Sequence, residues 1–150
     1  MLPAFPDLTT LQPQTQSLRV GMDVVDIRRI DESIHKFGER FVRRLFSANE
    51  ISYALEGEGH TAQRLAARFA AKEAAIKAFD LGEVGINWRD IEVQKLPGGA
   101  CSLTLHGKAA SQAKQMGVSE IAVSLSHDGD YAAAVVTALV AAAPAQPYLS

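Results

Sequence analysis

Residues 61–79, TAQRLAARFAAKEAAIKAF, carry a helical repeat that leaves no broad face for water. At about 100° per residue, Leu65, Phe69, Ile76 and Phe79 form one narrow apolar stripe, while Ala67, Ala70, Ala71, Ala74 and Ala78 cover the rear. A helix so composed is buried on most sides, and the rest of the chain must fold around it. Eight of the chain's 24 alanines lie here, which points to close packing. Its charges therefore need a reason. Lys72 falls inside the apolar stripe, with Glu73 and Lys77 on one flank and Arg68 and Arg64 on the other. In one reading Lys72 snorkels, and Glu73 and Lys77 form a surface i,i+4 pair worth a few tenths of a kcal/mol. The crowding of charge on a buried element favours another: cations facing a phosphate-rich ligand, with the carboxylate holding a divalent metal.

The surroundings suit a single domain of 150 residues, 47% hydrophobic and 21% charged, too apolar for wholesale disorder. The formal charge of −2 offers no argument for a general nucleic-acid binder. It conceals a polarity along the chain, because residues 28–77 carry a net +3. The lone cysteine, Cys101, excludes an intrachain disulfide framework and is compatible with a reducing compartment. The longest nearly apolar run, Tyr131 to Ala143, is 13 residues, short of the roughly 17 that span a bilayer. No basic region followed by an apolar stretch opens the chain, so the expectation is a soluble cytoplasmic domain without membrane or nucleic-acid partners.

Five of the six prolines fall near the ends, which marks 1–17 and 141–150 as tails around a domain at 18–140. Leu18, Val20, Met22 and Val24 alternate as one face of a strand that reads as central, with Arg19, Gly21 and Asp23 on the other. Helical signals run from Arg28 to about Leu55, broken near Gly38, and Ser47 with Glu50 forms a capping box. Asp90–Lys95 and Ala100–Leu105 read as a hairpin around Pro97-Gly98-Gly99, and Gly107–Met116 as a short helix. Two strands, Glu120–His127 and Tyr131–Leu139, meet at the Asp128-Gly129 turn. One strand, several helices, then hairpins make an α+β fold.

Asp23 lies among Val20, Met22, Val24, Val25 and Ile27, where an unpaired carboxylate is costly. It caps a loop, faces water at a sheet edge, or shares a cation with Glu73. Asp26 is a further acidic candidate or a helix cap. His127 ends an apolar strand face and serves equally as a core histidine or a ligand. His35, His60 and His106 read as surface residues and Cys101 as packing. No phosphate-binding loop, dinucleotide fingerprint or zinc spacing occurs.

Three segments, GMDVVDIRRI (21–30), RFAAKEAAIKAF (68–79) and SLSHDGDYAAAVV (124–136), resemble holo-acyl-carrier-protein synthases, the small phosphopantetheinyl transferases. FSANE (46–50), INWRDIEV (86–93) and LHGKAA (105–110) follow in matching order, so the resemblance covers about 18–140. It implies the 4′-phosphopantetheinyl transferase fold, an antiparallel sheet packed on a long central helix with shorter helices. It also implies Mg²⁺-dependent transfer of 4′-phosphopantetheine from coenzyme A to a serine of an acyl carrier protein, in fatty acid biosynthesis. A homotrimer with active sites between subunits comes with it. By the same resemblance Asp23 and Glu73 become the metal ligands and Asp23, Glu73 and Lys77 the catalytic residues, with Lys77 meeting the pyrophosphate and protonating the leaving phosphate. Arg68, Lys72 and His127 become coenzyme A contacts, and Arg28, Arg29, Arg40 and Arg44 carrier-protein contacts. The general base stays open between Asp23, Glu73 and a metal-bound water.

The chain departs from the family in one turn, with Asp80-Leu81-Gly82 where Gly-Thr-Gly is usual, and Glu83 adds charge nearby. That change is the best support for an alternative, a non-catalytic coenzyme A or nucleotide sensor on the same scaffold. An RNA-binding module using the arginines of 40–44 lacks interleaved exposed aromatics.

Overall fold

The chain runs β1 (Gln16–Asp26), α1 (Ile27–Phe37), α2 (Glu39–Leu45), α3 (Ala48–Glu56) and the long α4 (Thr61–Ala78). One 3-10 turn (Trp88–Asp90) leads to β2 (Ile91–Lys95), β3 (Cys101–Leu105), α5 (Gly107–Met116), β4 (Val118–Asp128) and β5 (Tyr131–Ala141). This computed structural model describes residues 16–141. Three antiparallel strands form a sheet in the order β1-β5-β4, and β2 and β3 form a separate hairpin, which is the expected α+β architecture. Among the described residues, no helix is long and apolar enough to cross a membrane. Gln16 and Ser17 pair with Ala141 and Val140, so the sheet reaches slightly into the segments read as tails. Residues 1–15 and 142–150 lie outside the described residues.

Local chemistry sets the element ends. The Asp26 side chain accepts a 3.0 Å hydrogen bond from Arg28 N, which stops β1 and starts α1. Gly38, at φ 66°, breaks the helical run into α1 and α2, a backbone turn that a side chain would strain. The Ser47–Glu50 capping box forms in full at the head of α3.

Helix α4 lies on the sheet over β1 and β5, with ten of its 18 residues buried. Its alanine rear meets Ala132, Ala134, Val136 and Ala138 of β5, all 2% exposed or less. Contact with β1 is closer still. A Cβ on Gly21 would sit 1.9 Å from the Ala74 carbonyl oxygen, so only glycine lets the helix backbone come this near.

One expectation is corrected here. Strand β1 is an edge strand, not a central one. Its apolar face also points away from the core. Helix α4 covers the Arg19, Gly21 and Asp23 side, because Gly21 admits a backbone where larger residues would not. Leu18, Val20, Met22 and Val24 stay between 53% and 63% exposed. They lie beside Leu139, Thr137, Val135 and Ala133 of β5 and form an uncovered apolar sheet face.

Candidate active site

Asp23 stands two residues beyond Gly21 on the same strand face, so it too is turned toward α4. Lys77, in the last turn of α4, donates from Nζ to Asp23 Oδ1 (3.1 Å) and to the Met22 carbonyl (2.9 Å). Glu73 sits one turn earlier on the same flank. A cavity of about 630 Å³ is lined by Asp23, Asp26, Arg29, Phe69, Glu73 and Tyr131, among others. Among the described residues, Glu73 forms no ion pair and no side-chain hydrogen bond, and the i,i+4 pair with Lys77 is not made. Burial pushes the Glu73 carboxyl above its usual range, the Asp23 charge pushes it further, and Lys77 draws it back. Two carboxylates thus repel each other across one cavity, an arrangement that a cation relieves. Their hard oxygen donors fit Mg²⁺. No group of three or more potential ligands occurs among the described residues, so the remaining coordination would come from phosphate oxygens and water.

Lys72, expected as a coenzyme A contact, lines neither this cavity nor the one around Arg68 and His127. The side chain is fully buried and pairs with Glu50 Oε1 at 2.8 Å. Its other hydrogen bonds go to the Trp88 and Ile91 carbonyls. Burial pulls its pKa below the ordinary lysine value, and the Glu50 carboxylate opposes that shift. Glu50 is itself fixed by Ser47 N (2.8 Å) and Val93 N (3.0 Å). The pair ties α3, α4 and the start of β2 together, so the charge in the apolar stripe serves the core.

Arg68 and His127 meet in a second cavity of about 520 Å³, on the opposite flank of α4. His60, Arg64 and Lys95 join them there around Tyr53, and no acidic residue lines the space. This cavity shares no lining residue with the one at Asp23 and Glu73. The histidine is exposed at the end of β4 and packs into no core. Sequence reasoning did not single out Tyr53 or Lys95. A faint signal was present, since Tyr53 lies one helical turn beyond the capping glutamate. Lys95 shares the strand face of buried Val93.

Of the four arginines expected to meet a carrier protein, Arg28 is already engaged. It pairs with Asp26 at 2.8 Å and lies 3.6 Å from Asp130, which holds the Asp26 carboxyl below its usual range. Its guanidinium braces the start of α1 against the β4–β5 turn. Arg29, Arg40 and Arg44 are exposed and make no ion pair among the described residues.

The family model for the 4′-phosphopantetheinyl transferase superfamily matches residues 19–136. The chain belongs to that superfamily. It is 43% identical over 120 residues to a holo-[acyl-carrier-protein] synthase of Koribacter versatilis, covering 79% of this chain and 95% of the relative. The holo-[acyl-carrier-protein] synthase of Halorhodospira halophila is 45% identical over 118 residues, covering 78% and 93% of the two chains. Among solved structures, the Chronobacterium ammoniagenes ACPS–CoA complex superposes with a TM-score of 0.74 at 33% identity, covering 85% of this chain and 99% of that one. The Helicobacter pylori holo-[acyl-carrier-protein] synthase in complex with coenzyme A gives 0.70 at 30% identity, covering 79% and 98%.

Within this phosphopantetheinyl transferase the altered turn is accommodated locally. Asp80 adopts φ 52°, the left-handed geometry that glycine favours. Arg19 holds it there, donating to Asp80 Oδ2 (2.6 Å) and to the Ala78 carbonyl (2.6 Å). Leu81 is buried at 1% exposure. Neither residue lines the cavity at Asp23 and Glu73, so the substitution leaves that cavity's lining untouched.

Proposed function

We propose that this chain is a holo-acyl-carrier-protein synthase that uses Mg²⁺ to move 4′-phosphopantetheine from coenzyme A to a carrier-protein serine, releasing adenosine 3′,5′-bisphosphate. The observation that carries this reading is the meeting of Asp23, Glu73 and Lys77 beside one cavity where β1 and α4 touch. Asp23 and Glu73 would hold the Mg²⁺, which would supply charge neutralisation of the pyrophosphate and polarisation of the phosphorus under attack. Lys77, fixed by Asp23 and the Met22 carbonyl, presents its remaining N–H to the departing phosphate. The serine oxygen forms a bond to the pantetheine-side phosphorus as the bridging P–O bond breaks. The serine proton passes to a carboxylate of the site.

Arg68 and His127 contact the nucleotide end of coenzyme A, and Arg29, Arg40 and Arg44 present positive charge to an acidic carrier protein. Within one protomer the Arg68 and Glu73 cavities open on opposite flanks of α4. A single coenzyme A then joins the carboxylate end of one copy to the cationic end of another. The uncovered face of Leu18, Val20, Met22 and Val24 supplies the apolar surface for that assembly, which we assign as a homotrimer. Such an enzyme works in the cytoplasm and serves fatty acid biosynthesis.

Mass spectrometry of an apo acyl carrier protein incubated with enzyme, coenzyme A and Mg²⁺ tests this. The expected result is addition of one 4′-phosphopantetheine, abolished by Asp23→Ala or Glu73→Ala with the oligomer intact. Undiminished transfer by either variant overturns the ligand assignment. Coenzyme A binding with no transfer to any carrier would instead establish the sensor.

A further inference from the structure

The second cavity holds more positive charge than its own chain balances. Arg68 is 3% exposed, its Nε meets no acceptor, and the Arg64 carbonyl at 3.3 Å takes one N–H. No carboxylate pairs with it among the described residues, and burial lowers its pKa below the ordinary arginine value. A guanidinium enclosed in this way is costly unless an anion completes it. Arg64, one turn before it on α4, donates to the Tyr53 carbonyl at 2.7 Å. Like charges one turn apart repel, so something must hold the two together.

Tyr53 does so. Both guanidinium carbons, Arg64 Cζ and Arg68 Cζ, lie 4.2 Å from the centre of its ring. Lys95, from the β2–β3 hairpin, donates from Nζ to the Tyr53 hydroxyl at 3.0 Å and lies 5.1 Å from the ring centre. One aromatic side chain from α3 thus gathers three cations from two other elements. The electron-rich ring face offsets their mutual repulsion without consuming the charge that a ligand needs. A carboxylate in its place would neutralise the site. The Tyr53 hydroxyl is itself drawn below the usual tyrosine range, first by the Lys95 hydrogen bond and then by the arginines.

We propose that Tyr53 is the positioning residue of this cavity, holding Arg64, Arg68 and Lys95 around one phosphate of the nucleotide end of coenzyme A. The inference rests on the reading of Arg68 and His127 as coenzyme A contacts. Tyr53 touches no reacting atom, so its loss weakens substrate binding and leaves the chemistry of the bound complex to Asp23, Glu73 and Lys77. Its ring holds the arginines, and its hydroxyl holds Lys95.

Steady-state transfer to an apo carrier protein, followed with coenzyme A and carrier varied separately, tests this. Tyr53→Leu is expected to raise the coenzyme A KM about tenfold, the scale of one to two desolvated cation–π contacts, with the carrier KM unmoved. Tyr53→Phe keeps the ring and loses only the Lys95 anchor, so it raises the coenzyme A KM by a smaller factor. Lys95→Ala raises it at least as much, because the cation itself is lost, and adding Tyr53→Phe to Lys95→Ala changes nothing further. A Tyr53→Leu enzyme with unchanged coenzyme A KM overturns the proposal. So does one in which kcat and both KM values shift together, as a merely structural residue would cause. Arg64→Ala and His127→Ala separate the causes of failure. If they leave the coenzyme A KM unchanged as well, the error lies in placing coenzyme A in this cavity; if they raise it, the error lies in Tyr53 alone.

Discussion

Replacing Gly21 by alanine tests whether the active site depends on the close approach of β1 to α4. The added Cβ would lie 1.9 Å from the Ala74 carbonyl oxygen and 2.9 Å from Ala78 N. Carbon–oxygen contacts settle near about 3.3 Å, so strand and helix must separate by roughly 1.4 Å to relieve the 1.9 Å approach. Both offending atoms belong to the helix backbone, so truncating a neighbouring side chain gives no relief. Forced separation of this kind costs about 1–3 kcal/mol in stability. The catalytic cost is larger. Asp23 rides on the same strand face two residues later, and Lys77 holds it at 3.1 Å across the seam that opens. A displacement near 1 Å at reacting groups lowers the rate about 100-fold. Urea unfolding and kcat/KM for transfer to an apo carrier protein measure the two effects. Gly82→Ala is the control, because no atom lies within 4 Å of its added Cβ and its φ is ordinary; it is expected to be neutral or stabilising by up to about 1 kcal/mol. A Gly21→Ala enzyme that retains full activity would show that the seam does not set the geometry of Asp23 and Lys77.

Lys72 and the apolar face of β1 give two further expected outcomes. Lys72→Met leaves the Glu50 carboxylate buried without its cation, and the loss is expected to be about 3–5 kcal/mol by denaturant unfolding. Because Lys72 is sealed in the core, the coenzyme A KM of the folded variant should not rise; a selective rise would return it to the binding site. Met22→Asp or Val20→Asp puts charge on the uncovered sheet face, where both residues are more than half exposed. In a lone protomer such a surface change costs less than about 0.5 kcal/mol. In an assembly through that face it buries an unpaired carboxylate, so light scattering should report a smaller particle and transfer should fall. Unchanged particle size in both variants would place the subunit contact elsewhere.

Helix α4 shows why some of this was legible in the sequence and some was not. Its burial could be read directly, because the angle between successive side chains is fixed and alanines filled the directions where polar residues would otherwise stand. The same geometry separates Arg64 and Arg68 from Glu73 and Lys77 whatever their neighbours are. What an angle cannot supply is the group waiting on that side. Lys72 points to Glu50, 22 positions earlier, and the capping box that made Glu50 visible gave no sign that its second oxygen was committed to Val93 N. Tyr53 was missed for a related reason, since its role arises from three cations brought by other elements. Strand β1 poses the sharper case. Alternation of Leu18, Val20, Met22 and Val24 established an apolar face, and within one chain such a face is expected to meet the core. Gly21 decided otherwise, because only the face without a side chain could receive a helix backbone. The apolar face is thereby left outward, and the alternation that establishes it carries no information about which side the helix takes.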